Sequence, residues 1–498
     1  MESAIQKYFE NKTVFLTGGT GFLGKVVVEK LLRTTEVKRI YLLIRPKRGV
    51  EIQERISEWS QDSVFELLLK SKSKTDALQR VCPIAGDCLE PDLGLSDTDR
   101  RILASEVQIV LHGAATVRFN EPLHVALAIN TRATRLMVQL GKQMVNLEAF
   151  VHVSTAFSNC IIYHVKEKFY PEHLTCSSDK VLGVSELLSD ELIDNMTPTL
   201  LGSHPNSYTY TKALAEDVIL REASDLPICI FRPAVIIASH KEPISGWIDN
   251  LYGPIAILFG VARGVLRIAT IDVKAQASLV PVDYCANLAL ACAWKTAQTD
   301  ERQNDPIIYQ LAPTEDNSLT HGEFKDYALD GRMQCPLTKM VWYPFFHCIT
   351  TMWLFPIAAF FYHTLPAYIF DLALYLSGRK PRLVKVYQKI HKTLGILGPF
   401  SSKSWYFDMH NTNKMRELMS EQDRRLYDFD MASISWKEYF EKALLGMRLY
   451  LGQDPPTSES IAHGLRVIKR LKMWHHLLQL ILGCIAAFIV WSLIRLVV

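Results

Sequence analysis

The stretch VFLTGGTGFLGKVVVEKLLR, residues 14–33, leaves few folds open to this chain. An apolar run at 14–17 reads as a buried strand, and helical periodicity takes over from Phe22. Between them stand Gly18, Gly21 and Gly24 at three-residue spacing. Gly18 permits a tight turn out of the strand, Gly21 lets the backbone approach a diphosphate, and Gly24 lets the helix pack close to the sheet. The helix N-terminus adds free N–H groups and a partial positive charge, so Thr20, Phe22 and Leu23 belong to the same expected cradle for a dinucleotide.

Further β-rich runs at 39–45, 81–85 and 107–111 alternate with helical patterns to about residue 240, which predicts α/β architecture: a Rossmann-type doubly wound parallel sheet. The end of the second strand, about 20 residues past the glycines, is where an NAD enzyme carries an acid for the ribose hydroxyls. This chain has Arg45, Lys47 and Arg48 there, cations suited to the 2′-phosphate of NADP, so NADPH is the expected cofactor. Asp87 and Cys88 follow the third strand, within reach of an adenine. Ala114, Ala115 and Thr116 follow the fourth, with small side chains beneath the cofactor.

The chemistry is expected at Tyr208 and Lys212, a YxxxK pair one helical turn apart on one face. A phenol with an ordinary pKa of about 10 needs a nearby ammonium to stabilise its phenolate near neutral pH. Lys212 can provide it. Tyr210 has no lysine four residues on and points to another face. Adjacent hydroxyls at Ser154 and Thr155, ending the strand-like run AFVHVSTAFSN, offer a hydrogen bond to a substrate carbonyl. Successive strand residues alternate faces, so one of the two is expected to reach the site; Thr155 is favoured, with Ser154 as the alternative.

Fifty-five Lys and Arg against 52 Asp and Glu give a net charge of +3 and no footprint for a nucleic-acid partner. Ten cysteines carry no CxxC pair and no zinc-type grouping with histidine, so no metal site is expected and the thiols read as free. The first dozen residues mix charges and lack the apolar core of a signal peptide, which keeps the catalytic part in the cytosol. The hydrophobic fraction, 49%, is concentrated toward the end of the chain. Residues 473–494 carry no charged side chain and at 1.5 Å per residue span roughly 30 Å, so a single-pass transmembrane tail is expected. Arg466, Lys469, Arg470 and Lys472 precede this run and only Arg495 follows, a bias that places the large domain on the cytosolic side. Residues 340–370 also lack charge, but Pro344, Pro356 and Pro366 interrupt them. They read as a membrane-dipping segment or as the wall of an acyl tunnel. The linear division expected is a dinucleotide-binding domain at 1–240, a substrate-binding extension at 241–335, the uncharged apolar segment at 336–370, a small helical C-terminal domain at 371–455, and the tail helix.

The motifs TGGTGFLG, HGAATVRF, HVSTAFSN, YxxxK and FRPAVI, in this order, resemble the extended short-chain dehydrogenase/reductase superfamily. LLIRPKRG, EPISGWIDN, VPVDY, HKTLGILGPFSSKSWYF and ISWKEYF look like the fatty acyl-CoA reductase family, and the likeness covers nearly the whole chain. The resemblance implies reduction of a long-chain acyl-CoA by NADPH, through two hydride transfers, to a primary alcohol with release of CoA. It gives Tyr208 the proton, Lys212 the nicotinamide ribose and the tyrosine pKa, and Thr155 the carbonyl. It adds Pro233 and Val235 of FRPAVI to the cofactor contacts. One departure is Phe157, where the family usually has tyrosine. A lipid bilayer is the implied partner, at the endoplasmic reticulum or peroxisome; acyl chain length and oligomeric state are not legible. Two alternatives stand beside this reading: another membrane-bound extended reductase acting on a hydroxysteroid or sugar nucleotide, and a catalytically silent dinucleotide-binding scaffold.

Overall fold

The computed structural model describes residues 3–46, 49–71, 76–299 and 305–497. Lys47 and Arg48, two of the cations expected at the cofactor, lie outside the described residues. The central feature is a seven-stranded sheet of β1 (Thr13–Thr17), β2 (Arg39–Ile44), β3 (Val81–Ala85), β4 (Ile109–His112), β5 (Ala149–Val153), β6 (Ile228–Pro233) and β7 (Ile307–Leu311). All its pairings are parallel, in the spatial order 3-2-1-4-5-6-7. The order reverses between β1 and β4, and the crevice outside the strand C-termini at such a switch is where open α/β sheets bind ligands.

Strand residues alternate between the two faces of the sheet. Phe15, Val110, Phe150 and Ile230 join one core with Met137 and Val138 of α2 (Ala133–Gly141) and Ile219 of α3 (Ser207–Glu222). Helix α1 (Phe22–Thr34) packs against α4 (Val282–Ala297). With both faces covered, the strands are buried almost without interruption, as parallel strands require.

The chain forms two compact units that interleave in sequence. The first comprises residues 1–247, 278–319 and 404–434, the second 248–277, 320–403 and 435–498. This corrects the linear division. Residues 241–335 are not one extension, because α4 and β7 within them complete the sheet of the first unit. Nor do 371–455 form one helical domain, because Tyr406–Phe407 pairs with His164–Val165 and returns the chain to that unit.

Polar contacts hold the returning segment in the first unit. Asp423 accepts from the Ser3 hydroxyl and from the amides of Ala4 and Ile5. Lys30, 2% exposed on α1, donates to the Glu242 carboxylate and the Leu426 carbonyl, and Glu242 also takes Arg33 at 2.7 Å. Asn287 of α4 donates to the Asp428 carbonyl at 2.8 Å.

The second unit is mainly helical. His321–Asp330 packs on Trp436–Gly446 through Phe324 and Phe440, ring centroids 5.3 Å apart. Ile268–Thr270 pairs with His347–Ile349. Helices α5 (Leu365–Leu376), α6 (Leu383–Ser401) and α7 (Ser458–Val497) complete it. Two helical stretches, Met352–Leu376 and Ser458–Arg495, are long and apolar enough to cross a membrane.

Removing one partner of a buried ion pair leaves a desolvated charge, at a cost of about 3–5 kcal/mol. Glu242→Gln therefore lowers the Tm by about 5 °C in a thermal melt, while Lys30→Met with Glu242→Leu, which removes both members of that pair, loses much less.

Candidate active site

The glycine turn at the end of β1 is shaped by close backbone approach. Gly18 has φ +76°, a conformation that side chains rarely adopt. A Cβ at Gly24 would lie 2.2 Å from the Gly18 carbonyl oxygen, so only glycine lets α1 begin this close to the turn. Gly21 is the N-cap of α1 and no side chain caps the helix, leaving the first-turn amides of Phe22, Leu23 and Gly24 available to an anion. Phe22 stacks on Trp247 at 5.3 Å. Ala114 donates its N–H to Thr17 Oγ1 at 3.1 Å, and a Cβ on Gly18 would meet that same nitrogen at 2.8 Å, so the loop after β4 abuts the turn. Ala115 follows in that loop. These residues fit the diphosphate of a dinucleotide.

At the end of β2, Arg45 is exposed and reaches Asp87 at 3.9 Å. Arg55, which the sequence reading did not single out, donates to the Arg45 carbonyl at 2.8 Å and reaches Thr20 Oγ1 at 3.5 Å. A second cation thus spans the glycine turn and the end of β2. Asp87 also accepts from the Leu89 amide at 3.0 Å. The Cys88 thiol is buried in the sheet core, which pushes its pKa up to about 12. Thr116 is held by Asn130, which accepts from its amide at 2.9 Å and donates to the Thr211 hydroxyl at 3.0 Å. Asn130 thereby ties the loop after β4 to α3, a role no sequence pattern announced. Pro233 ends β6, and Val235 donates its N–H to the Ser278 carbonyl at 2.9 Å.

Helix α3 is capped by Asn206, whose side chain accepts from the Thr209 amide, and it carries Tyr208 and Lys212. Tyr208 is half-buried, stacks on Phe119 at 5.5 Å and lies beside the Thr155 hydroxyl. Burial pushes its pKa up to about 12, opposed by Thr155; the lowering expected from Lys212 is not found in the resting site. Lys212 is buried and donates to the Val153 carbonyl at 2.7 Å. Burial pulls its pKa down to about 8, against the Glu216 carboxylate, which raises it. Tyr210 faces elsewhere, 3.3 Å from the Thr175 hydroxyl.

The two hydroxyls at the end of β5 separate. Thr155 N-caps the short turn Ala156–Asn159, accepting from the Phe157 amide at 3.2 Å, and meets Tyr208. Ser154 points along the sheet face and donates to Glu216. Glu216 forms a bidentate pair with Arg232, at 2.9 and 2.6 Å, in which both side chains are almost fully buried. Neither was anticipated, although Glu216 stands four residues beyond Lys212 on the same helical face. Among the described residues no group of His, Cys, Asp and Glu could hold a metal ion.

Comparison with known proteins agrees with this geometry. An NAD-binding family model described as male sterility protein matches residues 16–289, and a second, of the same description, matches 362–454. The chain is 41% identical over 495 residues to fatty acyl-CoA reductase wat of Drosophila melanogaster, covering 99% of this chain and 94% of that one. It is 36% identical over 449 residues to fatty acyl-CoA reductase 1 of Rattus norvegicus, covering 90% and 86%. Among solved structures, the terminal R domain from the myxalamid PKS-NRPS pathway superposes with TM-score 0.57 at 18% identity, covering 88% of this chain and 91% of that one. The reductase domain of a nonribosomal peptide synthetase from Mycobacterium tuberculosis gives 0.55 at 19%, covering 89% and 93%, and these two likenesses concern the fold. By the sequence relatives and the family models, this chain belongs to the fatty acyl-CoA reductase family of oxidoreductases, with a nicotinamide dinucleotide as its cofactor.

Proposed function

We propose that the protein reduces long-chain fatty acyl-CoA to the primary alcohol with NADPH, releasing CoA in two successive reductions. The observation that carries this reading is that the C-terminal end of β5 brings Thr155 to Tyr208 and the Val153 carbonyl to Lys212, one helical turn along the same helix. When bound, the dinucleotide supplies the hydride.

The chain's own residues account for the rest. Gly18, Thr20, Gly21, Phe22, Leu23 and Gly24 hold the diphosphate through backbone amides and the N-terminus of α1. Arg45 and Arg55 favour the 2′-phosphate, which is what supports NADPH over NADH. Thr155 orients the carbonyl against Tyr208, and Tyr208 delivers a proton to the oxygen as negative charge develops there. At neutral pH the phenol is fully protonated and so ready to donate. The Lys212 ammonium, fixed on the Val153 carbonyl, stabilises the phenolate left behind. Hydride attacks the thioester directly, so no cysteine nucleophile is needed. Buried Cys160 and exposed Cys176 stay outside the chemistry.

The 473–494 run of α7 anchors the enzyme in a membrane of the endoplasmic reticulum or peroxisome with the catalytic unit facing the cytosol. The support is an apolar helical run with no buried residue, preceded by Arg466, Lys469, Arg470 and Lys472.

Mass spectrometry of products from a series of acyl-CoAs with NADPH should show primary alcohols; no NADPH oxidation with any chain length would refute the reading. Tyr208→Phe should lower kcat by about 10²–10⁴ with NADPH affinity retained. Thr155→Ala should cost about 10² in kcat. Ser154→Ala should instead act chiefly on thermal stability, because its hydroxyl serves the Glu216–Arg232 pair. In a pH–rate profile, kcat/KM should hold steady through neutrality and fall above about pH 8 as Lys212 loses its proton, since Tyr208 keeps its own to about 12. Glu216→Gln removes the charge that raises the Lys212 pKa and should move that limb to lower pH.

A further inference from the structure

The second unit exposes an apolar surface well away in sequence from the tail run. From Phe355 through α5, residues 359, 363, 367 and 371 form a narrow buried stripe at four-residue spacing. Almost everything else faces outward: Trp353 is 69% exposed, Phe361 60%, Ile369 61% and Leu376 76%, with Ile357, Tyr368, Leu372 and Tyr375 alongside. Soluble proteins seldom leave so continuous an apolar face to water.

The buried stripe fixes how this helix lies. His363 accepts from the Arg267 amide at 3.1 Å, meets His391 of α6 at 3.0 Å and stacks on Tyr387 at 4.8 Å. Asp371 accepts the amides of Arg382, Leu383 and Val384, clamping the chain reversal between α5 and α6. Helix α6 therefore runs back along α5. The reversal and α6 carry Arg379, Lys380, Arg382, Lys385, Lys389 and Lys392, all exposed, while the buried Asp371 is the sole acid in residues 352–402. Were Met352–Leu376 to cross a bilayer, Lys385, Lys389 and Lys392 of the returning α6 would be drawn into the hydrocarbon with it, at a high cost.

The tail helix supplies the level of the membrane. Its uncharged run starts at Met473, and His475 is held beside residues 342–345: Trp342 Nε1 donates to His475 Nδ1 at 3.2 Å, and Phe345 stacks on the imidazole at 4.8 Å. Phe345 in turn lies 6.0 Å from Tyr362, in the middle of the exposed apolar helix. The bilayer surface that receives α7 thus meets the 352–376 helix at its midpoint.

We propose that Met352–Leu376 is a second, monotopic membrane contact, lying in the plane of the cytosolic leaflet with its apolar face sunk about 5–10 Å. The cations of the α5–α6 reversal and of α6 rest on anionic headgroups. The tail and this helix together hold the second unit at two points, which fixes its orientation as well as its location. The inference rests on the tail spanning the bilayer, as proposed above, and is independent of the reaction.

The test uses the full chain in nanodiscs containing phosphatidylserine, with an environment-sensitive fluorescent amino acid at position 353, 361, 369 or 376. Lipids brominated at shallow or deep acyl carbons serve as quenchers. A probe at 482 reports on the tail separately, and each variant is first matched to the wild-type thermal melt. All four probes should be quenched at least about twofold by shallow bromines and weakly by deep ones, at one common depth. Exchanging phosphatidylserine for phosphatidylcholine should weaken that quenching. Depth increasing steadily from 353 to 376 would mean a second span and would overturn the proposal. Absence of quenching at all four, with 482 still quenched, would overturn it as well, leaving the face to protein or water. An unquenched 482 would fault the tail reading instead.

Discussion

The site depends on one buried ion pair. Glu216 grips Arg232 through both carboxylate oxygens and takes the Ser154 hydroxyl, while Arg232 donates onward to the carbonyls of Lys166 and Lys168. The pair therefore joins α3, β5, β6 and the segment leading to the edge pairing at His164–Val165. Desolvating two charges is unfavourable unless their remaining donors and acceptors are met, and here most of them are. What the pair secures is rotation: with Glu216 pinned beneath the sheet end, Lys212 and Tyr208, one and two turns earlier on the same face, are delivered to the ends of the strands.

The cofactor end has a different constraint, which is backbone proximity. Gly18, Gly24 and Ala114 approach one another so closely that β1, α1 and the loop after β4 behave as one piece. That loop continues to Thr116, and Asn130 couples Thr116 to Thr211 on α3. The glycine turn and α3 are thus joined by a short polar path through the loop after β4.

The doubly wound sheet, the glycine turn and the Tyr208–Lys212 pair were legible because each is written in a contiguous stretch with its own periodicity. Ser154 and Thr155 were legible only as hydroxyls on alternating faces; that Ser154 bonds to Glu216, 62 positions away, was not. Arg55 and Asn130 escaped notice because their partners, the Arg45 carbonyl and the Thr116 backbone, carry no side-chain signature. The burial of the Cys88 thiol was not legible either, because the core it joins is built from distant strands and helices. The linear domain boundaries failed because parallel sheets gather strands from distant segments, so β7 at 307–311 belongs with β1 at 13–17.

The surroundings of Lys212 explain how a buried cation is tolerated near its working pH. His112 and His152, opposite each other on β4 and β5, lie under the ammonium with their rings 5.3 Å apart. Burial holds His112 down to about 3 and His152 well below its ordinary value, and the nearby lysine lowers both further. They remain neutral throughout the working range and add no repulsion to Lys212. The neighbouring carboxylate, Glu216, is already neutralised by Arg232, so it raises the lysine pKa only in part and burial keeps the upper hand. An isolated acid there would hold the ammonium so firmly that its charge could not be shared with a phenolate. Burial and the compensated pair together leave Lys212 with a pKa of about 8, so it is charged at neutral pH.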